Sequence, residues 1–172
     1  MEVYLDNSAT TKPYAEAVNV MCEVMNSNYA NPSSLHRLGK FAEDSLNKSR
    51  ETLAKSIGCN QNEFYFTSGG TETNNLAVIG AAHKMRRMGR RIVSTSVEHP
   101  SIDEALNILE AEGFEVIRLK VDGYGRINEK DLYAAVNSNT ILITMMLVNN
   151  EVGTIMPVEA AKSSIIEPVS GI

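Results

Sequence analysis

The sequence predicts an α/β fold in which helices flank a largely parallel, mixed sheet. Strand-like and helix-like segments alternate along most of the chain, an order typical of parallel strands joined by crossover helices. The segment 141–148 is strongly apolar, as a strand buried on both faces should be. The length of 172 residues leaves room for about one domain, at roughly 100–200 residues per domain.

Two helices are predicted in the first third of the chain. The segments are an extended start at 3–6, a helix from Pro13 through Met25, a polar loop at 26–34 and a longer helix at 35–57. Pro13 suits a first helical turn, where its missing N–H is no loss. Val18, Met21 and Met25 recur at helical spacing. Gly58 is expected to end the second helix, because glycine is the commonest residue just after a helix.

The remaining elements alternate in type. Strands are predicted at 63–67, 91–96, 114–121 and 141–148, and helices at 71–88, 101–112 and 128–136. The first of these strands, EFYFT, is rich in aromatic residues that favour strands. The helix 71–88 places Leu76, Ile79 and Ala82 on one face. The helix 101–112 is expected to begin with a capping box, formed by Ser101 and Glu104.

Composition and charge exclude several classes of protein. With 43% hydrophobic and 22% charged residues, the chain is typical of an ordinary globular protein. Its net charge of −5 argues against a nucleic-acid partner, which needs a basic face. A basic cluster lies near the end of a predicted helix, where cations complement the dipole; its members are Lys84, Arg86, Arg87, Arg90 and Arg91. No apolar stretch approaches the roughly 18–20 residues of a membrane span, and no signal peptide is expected.

The two cysteines carry little information about function. Cys22 is predicted to be a small core residue on its helix and Cys59 to be exposed. Two cysteines are too few for a disulfide framework, and neither has metal-ligand partners at a useful spacing. Neither has an activating base nearby in sequence, so neither is expected to be a nucleophile. The predicted location is the cytoplasm, and no metal site is expected.

Three polar loops follow predicted strands, at the sheet edge where ligands bind in parallel α/β proteins. They are 68–71 (SGGT), 97–100 (VEHP) and 149–153 (NNEVG). Gly69 and Gly70 allow close approach of a ligand to the backbone, and Thr71 stands at a helix N-terminus that favours an anion such as phosphate. An ordinary N-cap with a glycine turn fits the same residues. Neither a Rossmann fingerprint nor a P-loop is present.

The other two loops carry a histidine and a pair of amides. His99 suits stacking on a cofactor ring, metal binding, proton transfer or a structural role. Asn149 and Asn150 suit hydrogen bonds to a heteroaromatic ring, and they also suit a turn. Together the three loops predict a pocket without naming its ligand.

Five strings in the chain carry a family resemblance. They are YLDNSATT (4–11), NPSS (31–34), FTSGGTETNNLA (66–77), EHPS (98–101) and VNNEVGTIMPV (148–158). In this order and spacing the chain resembles the cysteine desulfurases, pyridoxal 5′-phosphate (PLP) enzymes of the class V aminotransferase family. The resemblance implies the N-terminal part of a type I PLP-dependent transferase large domain.

The resemblance also implies roles for individual residues. Gly70 and Thr71 match the residues that hold the PLP phosphate. His99 matches the catalytic histidine that stacks over the pyridine ring and assists proton transfer. Asn150 matches the asparagine that contacts the ring oxygen near the substrate, and Asn31 matches a substrate-binding position in an active-site loop.

The family reaction removes sulfur from L-cysteine, leaving alanine and an enzyme persulfide. The sulfur then serves an iron–sulfur scaffold or another sulfur acceptor. The resemblance implies a homodimer, or pairing with a full-length homologue. Three alternatives stay open: a selenocysteine lyase-like member of the family, a non-catalytic remnant or partner of a full-length desulfurase, and an unrelated α/β nucleotide-binding domain.

Several family segments have no counterpart in these 172 residues. They include the lysine that binds PLP covalently and the catalytic cysteine; His83-Lys84 lies mid-helix and does not match the lysine motif. We therefore expect weak or no PLP retention and no turnover by these residues alone. The expected organisation is a single truncated domain at 1–172, with an extended segment at 1–12, a family-like region at 13–158 and a divergent tail at 159–172.

Overall fold

The computed structural model describes residues 2–166. The chain divides into two compact units, Met1–Phe66 and Thr67–Ile172. The single domain at 1–172 stays a prediction. Of the divergent tail, residues 167–172 lie outside the described residues, whereas Val158–Ile166 forms a regular helix.

The described part of the first unit contains two α-helices, α1 (Ala15–Ser27) and α2 (Arg37–Ile57). Gly58 ends α2 as predicted, in the left-handed conformation at φ +73°. The prediction that Pro13 lies in the first turn of α1 is wrong. The N-cap of α1 is Tyr14, whose backbone is extended, so Pro13 precedes the helix. The prediction that Cys22 is a core residue is also wrong: α1 buries none of its residues, and Cys22 is exposed.

The strand predicted at 63–67 does not form. A single 3₁₀ turn occupies Gln61–Glu63, closed by a capping box in which the Glu63 carboxylate accepts the Asn60 N–H at 2.9 Å. Phe64 is extended at φ −101° and ψ 122°, but no strand within residues 2–166 pairs with it. Phe64 therefore has the backbone conformation expected of a strand residue, but it lacks the hydrogen-bonded neighbouring strand that a sheet requires.

The second unit is an α/β structure. Its elements are α3 (Gly70–Met85), β1 (Arg91–Thr95), α4 (Pro100–Ala111), β2 (Glu115–Leu119), α5 (Glu129–Ala135), β3 (Thr140–Ile143) and α6 (Val158–Ile166). The three strands are parallel, in the order β2-β1-β3. Antiparallel pairing occurs only as the isolated bridges Val121–Ile127 and Val148–Ile155 in the described part. The predicted α/β fold with a parallel sheet and flanking helices is confirmed.

Two clusters of apolar residues cover the two faces of this sheet. Ile92 of β1 packs with residues of α3 and α4, among them the fully buried Leu106 and Leu109. The next residue, Val93, points to the opposite face and packs with residues of α5 and α6. Neighbouring side chains of β1 therefore contact helices on opposite faces of the sheet, and β1 is also the central strand. The carboxyl end of β1 leads directly into the loop before α4.

Two predicted burial patterns differ from the structure. On α3 the buried positions are Val78 and Ala82, whereas Leu76 is 60% exposed. Every residue from Leu76 to Ala82 is apolar or glycine, so the sequence pattern does not define the inward face of this part of α3. β3 ends at Ile143 and is half-buried rather than fully buried, because it lies at the edge of the described sheet.

Candidate functional site

The N-terminus of α3 leaves backbone donors open. Gly69 caps the helix without a side-chain hydrogen bond, and the first helical turn closes with the Thr73 N–H donating to the Gly69 carbonyl at 3.2 Å. The N–H groups of Gly70 and Thr71 precede that bond and meet no acceptor in the described chain. A Cβ added at Gly69 or Gly70 would meet no atom within 4 Å. The turn thus combines free donors, open space and the positive end of a helix, as an anion site requires.

Ser68 and Glu72 are already engaged beside this turn. The N–H and the hydroxyl of Ser68 each donate to Oε2 of Glu72, both at 2.7 Å. These two hydrogen bonds hold the pKa of Glu72 below its ordinary value; the bond from the Ser68 hydroxyl has the larger effect and the bond from the Ser68 N–H the smaller. Glu72 is therefore a carboxylate at neutral pH, and the N–H groups of Gly70 and Thr71 are among the donors left for an anion.

His99 lies at the start of α4 and caps the helix with its ring. Its Nδ1 accepts the backbone N–H of Ser101 at 3.1 Å, and Pro100 occupies the first helical turn. The capping box predicted for Ser101 and Glu104 is wrong, because the helix begins at Pro100 and makes His99 the N-cap. His99 is exposed, and its Nε2 makes no hydrogen bond among the described residues.

One hydrogen bond joins the two helix starts. Nδ2 of Asn74, in α3, donates to Oγ of Ser101, in α4, at 2.8 Å. This contact holds the Gly70–Thr71 turn and His99 in one neighbourhood. Sequence reasoning missed Asn74, although a signal exists: it precedes the buried Val78 by four residues and so shares the helix face that packs on α4.

The third predicted loop is held against the second. Glu98 accepts the hydroxyl of Thr95 at 2.7 Å and the backbone N–H of Met146 at 3.0 Å. Asn149 is buried, and its Nδ2 lies 3.4 Å from the Val97 carbonyl. Two of the predicted loops, 97–100 and 149–153, therefore meet at the carboxyl end of β1.

The two adjacent asparagines have different roles in this loop. Oδ1 of Asn149 accepts the N–H groups of Glu151 and Val152, at 2.9 and 3.0 Å, and so shapes the turn. Asn150 is exposed, and its Nδ2 contacts only the Glu151 carboxylate, at 3.0 Å, among the described residues. Asn149 is structural, and Asn150 is the amide that faces solvent.

A cavity of about 540 Å³ lies beside the asparagine loop. It is bordered by Val97, Tyr124 and Asn149, among others, and the hydroxyl of Thr154, which also borders it, donates to the Tyr124 carbonyl. A second groove, of about 660 Å³, follows the exposed side of α3 from Thr71. The exposed surface of that groove is mainly apolar, although Ser68, Thr71, Glu72 and Asn75 are among its lining residues.

The other predicted site residue, Asn31, belongs to the first unit. It is exposed, and its Oδ1 accepts the Ser33 N–H at 2.8 Å, which forms the turn before α2. Its role in substrate binding stays a prediction. Within residues 2–166 no three His, Cys, Asp or Glu side chains are grouped to hold a metal ion, and no helix there is both long and apolar enough to cross a membrane.

Comparisons with known proteins give consistent similarities. The model of the aminotransferase class-V family matches residues 3–167. A NifS/IcsS protein homolog from Lactobacillus delbrueckii subsp. bulgaricus is 47% identical over 157 residues, which is 91% of this chain and 41% of that protein. The cysteine desulfurase IscS of Methanosarcina thermophila is 43% identical over 91% of this chain and 39% of its own length. The solved structure of a NifS-like protein superposes with a TM-score of 0.89 at 35% identity, covering 96% of this chain and 45% of that one.

Proposed function

Since the chain belongs to the aminotransferase class-V family, we propose that it provides the phosphate-binding and ring-contacting part of a PLP-dependent cysteine desulfurase. The chain spans about two fifths of the length of the curated relatives it matches, 41% and 39% for the two described above. The activity, substrate and partners of the whole protein are therefore part of the proposal.

The observation that carries the proposal is the hydrogen bond between Asn74 and Ser101. It joins α3, whose first turn carries the free N–H groups of Gly70 and Thr71, to the start of α4, where the exposed His99 lies. A phosphorylated pyridine needs an anion site and an aromatic contact within one ligand's length, and these residues offer both chemistries. The open space at Gly69 and Gly70 supports the fit, because a phosphate can approach the backbone there.

Each residue has a defined task in this proposal. Gly70 and Thr71 bind the phosphate through backbone N–H groups, and the helix dipole favours its charge. His99 uses Nδ1 for the cap of α4, so Nε2 is the atom that holds or transfers a proton. Asn150 presents its amide to the ring oxygen, and Asn31 contributes to the substrate site. When bound, PLP supplies the electron sink that the reaction needs.

The proposed substrate is L-cysteine, which yields alanine and a persulfide on an enzyme cysteine. We assign the sulfur to an iron–sulfur scaffold or another acceptor, and the protein to a homodimer or a pair with a full-length homologue. A cytoplasmic location agrees with the two unpaired cysteines. By themselves the 172 residues are expected to retain PLP weakly and not to turn over L-cysteine, because the covalent lysine motif is not among them.

A matched pair of substitutions at Gly70 tests the phosphate site. Gly70→Pro deletes one N–H donor, and proline is well tolerated at a first helical position. Gly70→Ala adds a Cβ at the same place, in open space, and keeps the N–H. A lost hydrogen bond to a charged group is worth about 1.5–3 kcal/mol. We therefore expect PLP affinity, measured by equilibrium dialysis, to fall roughly 10- to 100-fold in Gly70→Pro relative to Gly70→Ala. Equal affinities would refute the site.

A further inference from the structure

We propose that Asn74 and Ser101 are positioning residues for His99. They form a directed hydrogen-bond chain that ends on Nδ1 and so fixes the ring with its proton on Nε2. The inference rests on the proposed function in one respect, since it takes His99 as the residue that transfers a proton. The tautomer of the His99 ring follows from contacts within the second unit alone.

The direction of each bond follows from the atoms involved. The backbone N–H of Ser101 is only a donor, so Nδ1 of His99, 3.1 Å away, must be an unprotonated acceptor. Oγ of Ser101 lies 2.7 Å from the same Nδ1, and it can bond there only by donating its own hydrogen. The Asn74 amide donates to that Oγ at 2.8 Å, which occupies the acceptor side of the hydroxyl.

Burial protects the hydrogen-bond chain of Asn74, Ser101 and His99 from competition by water. Ser101 is 7% exposed, so little solvent competes for its hydroxyl, and Asn74 is half-buried. A hydroxyl that receives one hydrogen bond and donates another is polarised in both directions, which strengthens the pair. The single lone pair of Nδ1 is thus shared by the backbone N–H and the hydroxyl of Ser101, and a neutral ring in this arrangement carries its proton on Nε2.

The hydrogen-bond chain also links the two parts of the proposed cofactor site, the phosphate-binding turn of α3 and His99 at the start of α4. Asn74 lies in α3, three residues after Thr71, whose N–H is a proposed phosphate donor. Ser101 and His99 lie at the start of α4. The orientation of the ring is therefore set from the same helix that holds the phosphate, and a shift of α3 changes both.

The neighbouring asparagine gives a matched control. Asn75 is also half-buried in α3, and its Nδ2 donates to the Thr71 carbonyl at 2.8 Å rather than to α4. Asn74→Ala and Asn75→Ala thus remove the same group from adjacent positions of one helix. Only Asn74→Ala is expected to change the hydrogen bonding at Nδ1 of His99.

Long-range ¹H–¹⁵N NMR of the ring nitrogens tests the proposal. The chain has three histidines, so His99 is assigned from the signal lost in His99→Gln. In mildly alkaline buffer, the wild-type chain is expected to show one Nε2–H tautomer at His99. Asn74→Ala and Ser101→Ala are expected to move the Nδ1 resonance toward the value of a nitrogen without a hydrogen bond. Ser101→Thr, which keeps the hydroxyl, is expected to reverse the change, and Asn75→Ala to leave it unaffected.

Two results would overturn the proposal. One is an Nδ1–H tautomer in the wild-type chain, a measurement that needs no substitution and stands even if a variant fails to fold. The other is an unchanged Nδ1 resonance in both Asn74→Ala and Ser101→Ala. Failure of the proposed function shows elsewhere, as a lack of PLP-dependent shifts at Gly70 and Thr71, and it leaves the tautomer result intact.

Discussion

The Glu98 carboxylate accepts the backbone N–H of Met146 at 3.0 Å and so joins the chain that follows β1 to the chain that follows β3. The same oxygen accepts the hydroxyl of the buried Thr95 at 2.7 Å. Glu98 is therefore a structural residue of the EHPS string, adjacent to the proposed catalytic His99. Its hydrogen bonds hold the strand end from which His99 projects.

Loss of the Glu98 carboxylate is expected to destabilise the fold. Glu98→Ala leaves the Met146 N–H and the Thr95 hydroxyl without their acceptor, and an unsatisfied buried group costs about 1–3 kcal/mol. Urea unfolding measures this difference. Glu104→Ala is the control, since Glu104 is exposed on α4 and its side chain makes no hydrogen bond among residues 2–166. Equal unfolding midpoints for the two variants would contradict the assignment.

The cap role of His99 separates from its proposed chemical role. His99→Ala removes the acceptor for the Ser101 N–H and is expected to cost about 1 kcal/mol of unfolding free energy. His99→Asn supplies an oxygen that is a preferred cap acceptor, so it is expected to restore most of that stability without an imidazole. Thermal or urea unfolding checks the pair. A His99→Asn variant no more stable than His99→Ala would argue against the ring as the cap.

Two leucine substitutions test which surfaces form the core. Leu106 is fully buried between α4 and the sheet, and Leu106→Ala is expected to cost about 2–5 kcal/mol. Leu76→Ala makes the same chemical change at a position that is 60% exposed, and its effect is expected to lie within about 0.5 kcal/mol. Denaturant unfolding compares them. A large loss at Leu76 would show that this side of α3 is covered in solution.

The Ser68–Glu72 contact predicts a pH dependence. Because Ser68 holds the pKa of Glu72 below its ordinary value, the stabilisation is present above the ordinary pKa of a glutamate. It is lost as the pH falls through the lowered pKa. Ser68→Ala removes the hydroxyl bond, the largest cause, and is expected to raise the pKa of Glu72 toward its ordinary value. NMR titration of the Glu72 carboxyl carbon measures this, and an unchanged midpoint would exclude the hydroxyl as the cause.

Much of the second unit could be predicted from sequence, because its elements have local signals. The predicted strand at 91–96 and helix at 128–136 match β1 and α5 closely. Asn128 caps α5 with its side chain, a signal that sequence contains directly. The segment 63–67 lacks such support, since a strand depends on a partner that no local pattern specifies.

The candidate site was predictable in its outline and not in its hydrogen bonds. Polar loops after predicted strands pointed to Thr71, His99 and Asn150, although the strand predicted before the Thr71 loop does not form. The roles of Asn74 and Ser101 depend on α3 packing against α4, a contact between residues 27 positions apart. The start of α4 was misplaced because Pro100 and Ser101 both suit helix starts, and the structure uses the proline.

One NMR titration tests the central claim, that Gly70, Thr71 and His99 belong to one PLP site. The 172-residue chain is titrated with PLP and, separately, with pyridoxal, which lacks the phosphate. The account predicts saturable shifts of the Gly70 and Thr71 amides together with the His99 ring for PLP, and no amide shifts for pyridoxal. Shifts confined to lysine-bearing segments, or identical amide shifts for the two compounds, would contradict it.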